Sequence, residues 1–513
     1  MIPLLALLLA AASETAPAAP DYDALVAAAL AHGREERLSE AAAALDRAIG
    51  LEPSRPEAWV ERGGVRFLEN RYEDAIADLS QALARGNDPY ARDLLASALF
   101  LAGRTDAALA QWNLLGGPRL RTLSITGLER TKDAVARREI SIGEGDMLGD
   151  DALRASQRRL EETQVFDQVT LRPIPRGDGQ ADLEVALSEQ HGFFASPVEA
   201  VIRAGVDALQ ERVRIRYANV LGRGLTVGGS YRWAANRPEA SVFLQAPRPL
   251  GLPVYLRVQA FRGRQAYALD DGLGSTRRGF ELSLRHVVDG RTVVQGGLRL
   301  KDRAFSAPRL DARPGLIAGL EARVERRLLD GHLDRLDLAA SAFRAAHAFG
   351  SDLAFTKAGF ELSYQRHLSA PEQVRIEPSV LAVRLRLGWG GDGVPLDEMF
   401  APGGSPDMEL PLRAHRQTAD GVLGATPIGR SLVLGNVEWR RRLIGSGPVP
   451  VGVVFFYDGA WVGRVADGRG TAFHDVGMGL RIGLPGSGIV RVDFGHGLTD
   501  GKNAIFVGLN QAF

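Results

Sequence analysis

Cysteine is absent from all 513 residues. That excludes disulfides and thiolate metal sites, and it suits a compartment where stray thiols would be oxidised. Lysine occurs only at Lys132, Lys301, Lys357 and Lys502, so arginine carries nearly all the positive charge. The formal net charge is zero, which leaves no electrostatic footprint for nucleic acid. No internal apolar run reaches the length of a transmembrane helix. There is no G-x-S-x-G, H-E-x-x-H or Walker loop, and the nine histidines do not cluster at ligand spacing. "GLPGSG" (483–488) lacks the Lys-Ser/Thr of a phosphate cradle and reads as a hairpin turn. The acid pairs Asp150-Asp151 and Asp270-Asp271 read as caps and turns. No enzyme, metal site or cofactor is expected.

What is there begins with "MIPLLALLLAAASETAPAAP", residues 1–20. A short apolar run, then small residues and a Pro/Ala spacer, has the shape of a secretory signal, although the usual basic n-region is missing. Residues 21–115 are Ala/Leu-rich with helical period. They also repeat: "RLSEAAAALDRAIGLEP" aligns with "RYEDAIADLSQALARGN", placing Ala41 over Ala75 and Ala48 over Ala82 at a spacing of 34, with Ala108 next in the series. Trp59, Gly63, Tyr72, Ala75, Ala82 and Pro53 fall where tetratricopeptide repeats want them, and the segment resembles two and a half to three such repeats. Small residues let paired helices approach, and each pair needs a neighbour to cover its apolar face.

Residues 118–190 change character. "RTLSITGL" reads as a strand and "TKDAVARREISI" as a helix ended by "GEGD". "DDALRASQRRLEET" reads as a second helix capped by Asp150 or Asp151, and two further strands are joined by "RGDGQ". This β-α-α-β-β unit resembles a POTRA (polypeptide-transport-associated) domain, an α+β module. The residues that carry the likeness are Ile125, Gly127, Gly145, Asp146, Leu160, Phe166, Val169 and Glu189.

From about residue 195 to Phe513 the period drops to two. Val213, Ile215 and Tyr217 alternate with Arg212, Arg214 and Arg216; Val476, Met478, Leu480 and Ile482 alternate with glycines and Arg481; Ile505, Val507 and Leu509 continue the pattern toward Phe513. At roughly twenty residues per strand and turn, about sixteen strands are expected. A soluble sandwich would need two sheets to bury such faces. A 16-stranded antiparallel transmembrane β-barrel instead turns the apolar side to lipid and the arginines to a wet lumen, and it closes every edge.

A signal, a POTRA unit and a barrel with a terminal Phe resemble the outer-membrane assembly-factor superfamily of barrel insertases and two-partner secretion transporters. The likeness implies a targeting role for Phe513. It also gives a reading of "APGGSPDMELPLRAH" (401–415), part of roughly forty residues that do not read as strand. In that family a long loop between the eleventh and twelfth strands folds into the lumen, its tip reading V-R-G-aromatic after a glycine pair. Here Gly403 and Gly404 match the pair and Arg413 matches the arginine, while Ala414 and His415 replace the glycine and the aromatic. His415 reads as a packed or solvated tip residue rather than a proton switch.

An arginine taken into a lumen needs carboxylate partners. In "LVLGNVEWRRRL", Val437 and Trp439 face lipid, so Glu438 faces in. In "VPVGVVFFYDGAWVG", Val453, Phe455 and Tyr457 face lipid, so Asp458 faces in. The family's F-x-D-x-G becomes F-Y-D-G-A, which keeps the Asp and displaces the Gly. Taken singly each of the three is an ordinary lumen charge; together Arg413, Glu438 and Asp458 are expected to form a lock.

The resemblance implies an outer-membrane location with the N-terminal domains in the periplasm, and a barrel that inserts or translocates unfolded client protein. The repeats would recruit a chaperone, client or partner, with lipid around a monomeric barrel and no nucleic acid involved. Two-partner secretion of one exoprotein is the alternative. A passive channel or receptor is the competing class, disfavoured because a porin has neither a POTRA nor a paired arginine on an inward loop.

Overall fold

A computed structural model describes residues 21–176, 179–190, 192–193, 197–331, 333–369, 376–404, 410–445, 449–465, 470–484, 488–509 and 511. The signal-like residues 1–20, the terminal Phe513 and loop residues 405–409 lie outside them. The chain divides into two compact units. One holds residues up to Thr122 with 144–150 and 173–182; the other holds 123–143, 151–172 and everything from Leu183.

The first unit is mainly helical: α1 (Tyr22–Arg34), α2 (Leu38–Leu51), α3 (Glu57–Leu68), α4 (Tyr72–Leu83), α5 (Pro89–Leu101) and α6 (Thr105–Asn113). Start signals are legible, since Asp21 and Asp88 accept hydrogen bonds from the amides of Ala24 and Tyr90. The alanines that repeat in sequence are the buried contact points: Ala41, Ala75 and Ala108 have no exposed surface. A Cβ on Gly63 would sit 2.7 Å from Leu79, so α3 and α4 cross at glycine distance. Asp78 lies buried on α4 and accepts from Arg62 (2.7 and 2.8 Å) and Arg66 (2.8 Å), which neutralises the charge inside this region.

The α+β segment comprises β1 (Arg119–Thr126), α7 (Asp133–Arg137), α8 (Asp150–Glu162), β2 (Phe166–Pro175) and β3 (Gln180–Glu189), with sheet order β1-β3-β2. The helix expected over "TKDAVARREISI" is only the five residues of α7. The chain then runs non-helically through Ile140 and Ile142, both buried, because their β-branched side chains give more by packing inward than by continuing the helix. Phe166 and Leu160 are buried, and Ile125 and Val169 are half-buried. Gly127 has φ +82°, and a Cβ there would lie 1.8 Å from the Leu187 carbonyl oxygen. The turn it makes is held by Glu189, whose carboxylate accepts from the amides of Glu129, Arg130 and Thr131 at 2.7–3.1 Å.

Helix α9 (Pro197–Leu209) follows, and then fifteen strands in one antiparallel sheet. They are β4 (Arg212–Val220), β5 (Leu225–Arg232), β6 (Glu239–Pro247), β7 (Tyr255–Ala266), β8 (Gly274–Val287), β9 (Thr292–Phe305), β10 (Gly315–Asp330), β11 (Asp334–Ala345), β12 (Phe355–His367) and β13 (Ser379–Gly390). After two short loop strands, β14 (Thr418–Ala419) and β15 (Val422–Leu423), come β16 (Gly429–Ile444), β17 (Val451–Val465), β18 (Thr471–Gly483), β19 (Ile489–Gly497) and β20 (Asn503–Leu509). Consecutive strands pair, β13 pairs β16 across the loop, and among the described residues β20 and β4 are not paired with each other.

Among the described residues the sheet therefore has fifteen strands against the sixteen expected, and its first strand begins at Arg212 rather than near residue 195. The reason lies in 198–208, which satisfies both periods. Val198, Ala200, Ile202, Ala204, Val206 and Ala208 alternate as a strand would. Glu199, Arg203 and Asp207, however, recur at i, i+4 with Ala200, Ala204 and Ala208 beside them, and the segment is helical.

The α+β segment is bonded to one end of this sheet within the second unit. Buried Glu139 accepts from Arg248 Nε (3.1 Å) and Tyr255 Oη (2.8 Å), Asn219 Nδ2 donates to Thr131 Oγ1 (2.7 Å), and the Lys132 amide donates to the Gly222 carbonyl (3.0 Å). These partners sit at the β4–β5 and β6–β7 turns, so this is the turn end of the sheet.

Candidate functional site: the inward loop

Alternation puts Asn436, Glu438 and Arg440 of β16 on one face of the sheet and Val437 and Trp439 on the other. The inward row continues in register from Arg384 (β13) to Asn436 (β16), Asp458 (β17), Asp475 (β18) and Gly497 (β19). One step along lies a second row, Glu438–Phe456–Gly477–Gly495. The outward partners Trp439, Phe455, Tyr457, Met478 and Phe494 are exposed, whereas Asn436, Glu438, Asp458, Asp475 and Asp493 have no exposed surface. Something covers the inward carboxylates, and it is the loop between β13 and β16.

The loop brings Arg413 to them with no exposed surface of its own. Its guanidinium donates to both oxygens of Asp458, Nε at 2.8 Å and Nη2 at 2.7 Å, and Nη1 bonds Glu438. The Arg413 amide adds a third bond to Asp458 at 3.1 Å, and the guanidinium stacks 3.6 Å from the Phe456 ring centroid. The carboxylates are anchored in turn: Arg440 Nε donates to Glu438 at 2.7 Å, and Asn436 Nδ2 to Asp458 at 2.7 Å and to the Pro411 carbonyl at 3.0 Å. A planar fork between two fixed carboxylates satisfies charge and geometry together, which is the condition for burying an arginine without a large desolvation penalty. The structure thus brings Arg413, Glu438 and Asp458 into one cluster.

Gly403 and Gly404 shape the hairpin that presents the tip. Gly403 has φ +152°, and a Cβ would meet the Gln417 amide at 2.7 Å; a Cβ on Gly404 would collide with Phe506 of β20 at 2.0 Å. The Gly404 amide donates to the carbonyls of Leu412 (3.1 Å) and His415 (2.7 Å), which closes the turn. Farther along the same inward row Gly495 of β19 makes room, because a Cβ there would lie 2.3 Å from the Arg413 carbonyl oxygen.

The two departures at the tip have physical accounts. Ala414 is buried without a left-handed backbone, and its amide donates to Asp475 Oδ2 at 2.6 Å. His415 keeps an aromatic role by packing edge-on to Phe473, centroids 4.7 Å apart. It adds charge pairing as well, with Nδ1 2.8 Å from Asp475 and Nε2 3.0 Å from Asp500. Burial pulls the imidazole pKa down, but Asp475 and Asp500 outweigh it and hold His415 above its ordinary value. The expectation of a merely packed or solvated residue missed this pairing, because nothing local in the sequence links 415 to 475 and 500.

A second anchor was also missed. Ahead of the glycine pair, Asp397 and Glu398 insert among Lys301 (2.7 Å to Asp397), Arg303 (2.5 Å to Asp397), Arg299 (3.5 Å to Glu398) and Lys357 (3.3 Å to Glu398). Burial pushes the Glu398 carboxyl up, but Lys301, Lys357 and Arg299 prevail and keep it well below the usual carboxylate range. The signal was present in the scarcity of lysine: two of the four sit at inward strand positions facing this acid pair. Of the remaining expected residues, Phe513 lies outside the described residues, and Ile125, Gly127, Phe166 and Val169 belong to the α+β segment, away from the loop.

Comparison with known proteins agrees with both parts. An Omp85 superfamily domain matches residues 335–510, which span β11 to β20 and the whole inward loop. A surface antigen variable number repeat, the POTRA model, matches 118–190. The outer membrane protein assembly factor BamA of Nitratidesulfovibrio vulgaris is 37% identical over 68 residues, 13% of this chain and 9% of that protein's length. Among solved structures, CdiB from Escherichia coli has a TM-score of 0.55 at 13% identity, covering 76% of this chain and 75% of that one. CdiB from Acinetobacter baumannii has 0.50 at 14% identity, covering 87% and 86%. At such identities the likeness is one of fold.

Proposed function

We propose that the chain, which carries an Omp85 superfamily domain over 335–510 and a POTRA match over 118–190, is an outer-membrane protein with its POTRA domain in the periplasm and inserts or translocates client proteins through a closed barrel. The observation that carries this reading is the bonding of the POTRA segment to the turn end of the sheet, through Glu139, Arg248 and Tyr255 and through Thr131 and Asn219. An extended client added to an edge of the POTRA sheet would be held at the mouth of the barrel. The docked loop then acts as a plug and lock that keeps the lumen filled until a client engages.

The N-terminal helices serve in this reading as tetratricopeptide repeats that recruit a chaperone, client or other periplasmic partner; the buried alanines at one repeat spacing support it. The barrel works as a monomer surrounded by lipid. No nucleotide chemistry is invoked, so the work comes from client folding or insertion. General insertion ranks ahead of two-partner export of one exoprotein. Depletion followed by outer-membrane proteomics tests the proposal. Loss of many barrels supports insertion, loss of one large exoprotein supports export, and an unchanged membrane and secretome would overturn both in favour of a passive barrel.

A further inference from the structure

The β4–β5 and β6–β7 turns carry the POTRA contacts, so β7 ends and β8 begins at the opposite, outer end of the sheet. There the outward face holds Arg262 and Arg264 of β7 and Arg278 of β8, all exposed. The register sets Arg262 directly opposite Arg278, and Arg264 opposite Thr276. Like charges facing each other across a strand pair repel. Asp302 of β9, opposite Arg278 on its other side, accepts from Arg278 Nε and Nη2 at 2.9 Å. Glu239 of β6 faces the other side of the sheet and is taken by Arg277. Among the described residues nothing accepts from the guanidinium of Arg262 or Arg264.

The neighbouring rows define the counter-charge this cluster lacks. The arginine row runs Tyr231–Ala240–Arg262–Arg278–Asp302, with Tyr231 52% exposed as an interfacial aromatic would be. The next outward row toward the POTRA end is Gly229–Val242–Ala260–Phe280–Leu300, without a polar side chain. Charge therefore begins one pleat, about 7 Å, beyond an apolar band. A ligand that satisfies both rows has an anionic head and an apolar tail. A soluble acidic partner would match the arginines and leave the band beneath them uncovered. The guanidinium fork suits phosphate, and basic clusters flanking a membrane-spanning band attract anionic headgroups. Arg344 of β11, outward at the same end, donates instead to Thr356 Oγ1 at 2.7 Å.

We infer that Arg262, Arg264 and Arg278, with Thr276 beside them, form a site for the phosphorylated headgroup of an outer-leaflet lipid, whose acyl chains lie down the Val242–Phe280 band. The inference rests on the reading of the sheet as a membrane barrel. A phosphate between Arg262 and Arg278 converts their repulsion into a shared bond, and Asp302 fixes one wall of the site by holding Arg278. A phosphomonoester carries about −1.5 to −2 charges at neutral pH, enough to offset the two arginines that Asp302 does not reach.

The double variant Arg262→Gln/Arg264→Gln tests the site, with Arg344→Gln as the control at the same end. Each full-length protein in neutral detergent is mixed with lipid A, a bisphosphorylated glycolipid, or with its dephosphorylated form. Bound lipid is counted by native mass spectrometry, and melting is followed in parallel. Wild type and Arg344→Gln should retain lipid A alike, while the double variant loses roughly tenfold or more, as removal of two charged donors implies. The dephosphorylated form should not distinguish the proteins. Melting should cross over: without lipid the double variant melts above wild type, because the repulsion is relieved, and with lipid A it melts below. Equal lipid A retention by wild type and the double variant, or an equal loss of the dephosphorylated form, would overturn the inference. Displacement of lipid A by equimolar inorganic phosphate would assign the arginines to a free anion and overturn it too. Flotation with phosphatidylcholine vesicles checks the reading beneath: wild type that does not float would sink the membrane barrel itself.

Discussion

Arg413 shows how much one side chain can organise when two fixed carboxylates await it. Truncation to Ala removes the fork from buried Glu438 and Asp458, leaving the bonds from Arg440 and Asn436 in place, and breaking such a pair is worth about 3–5 kcal/mol. Arg413→Ala should therefore lower barrel stability by that order, read as loss of heat-resistant migration and a lower urea midpoint. Asp458→Asn keeps the shape and should do less. Unchanged migration in Arg413→Ala would remove the lock from consideration. His415 gives a pH dependence of defined sign. Its folded pKa is raised above the ordinary 6.5 by Asp475 of β18 and by Asp500 of the β19–β20 turn, which also pairs Lys502 at 3.1 Å. The imidazolium's contribution is therefore full below 6.5 and is lost as pH rises through the elevated value. Protease access to the loop should increase from mildly acidic to alkaline pH, and His415→Gln should flatten that dependence.

Elements are joined by a few charged contacts that can be tested one at a time. Glu139, buried next to α7, is the acceptor that holds Arg248 and Tyr255 at the β6–β7 turn. Glu139→Ala strands the Arg248 guanidinium and leaves Tyr255 Oη only its bond to the Arg159 carbonyl at 3.0 Å, a loss of about 1–3 kcal/mol, and should speed hydrogen exchange in that turn while leaving the β16–β19 strands protected. The inward loop is an element pinned twice, by Asp397/Glu398 and by Arg413, with no partner common to the two anchors among the described residues. Stability changes in a Glu398→Ala/Arg413→Ala cycle should add to within about 0.5 kcal/mol. A larger coupling would mean that the loop docks as one rigid piece.

Over the whole molecule, the helical region and the sheet fall in different compact units, each with its own core. Deleting residues 21–115 should therefore spare heat-modifiable migration of the barrel and abolish recruitment, seen as the same change in outer-membrane proteome that depletion produces. A deletion strain with a normal proteome would restrict the repeats to a spacer role.

Local rules make several features legible in the amino-acid sequence by itself. Period-two alternation assigns the inward face to Glu438 and Asp458, because a strand has only two sides and their neighbours are large and apolar. The alanine spacing marks the helix contacts, and Gly127 marks a turn where a side chain has no room. Other features depend on residues distant in sequence. His415 acquires two carboxylates from strands and turns 60 and 85 positions away, and Lys301 meets its acids from a loop nearly a hundred positions downstream. For 198–208 the sequence carries both periods at once, so local chemistry could not choose between strand and helix. That choice fell to the tertiary structure, where Asp207 met Arg214 and Gln210 met the carbonyl of β20, and the difference between fifteen strands and sixteen follows from it.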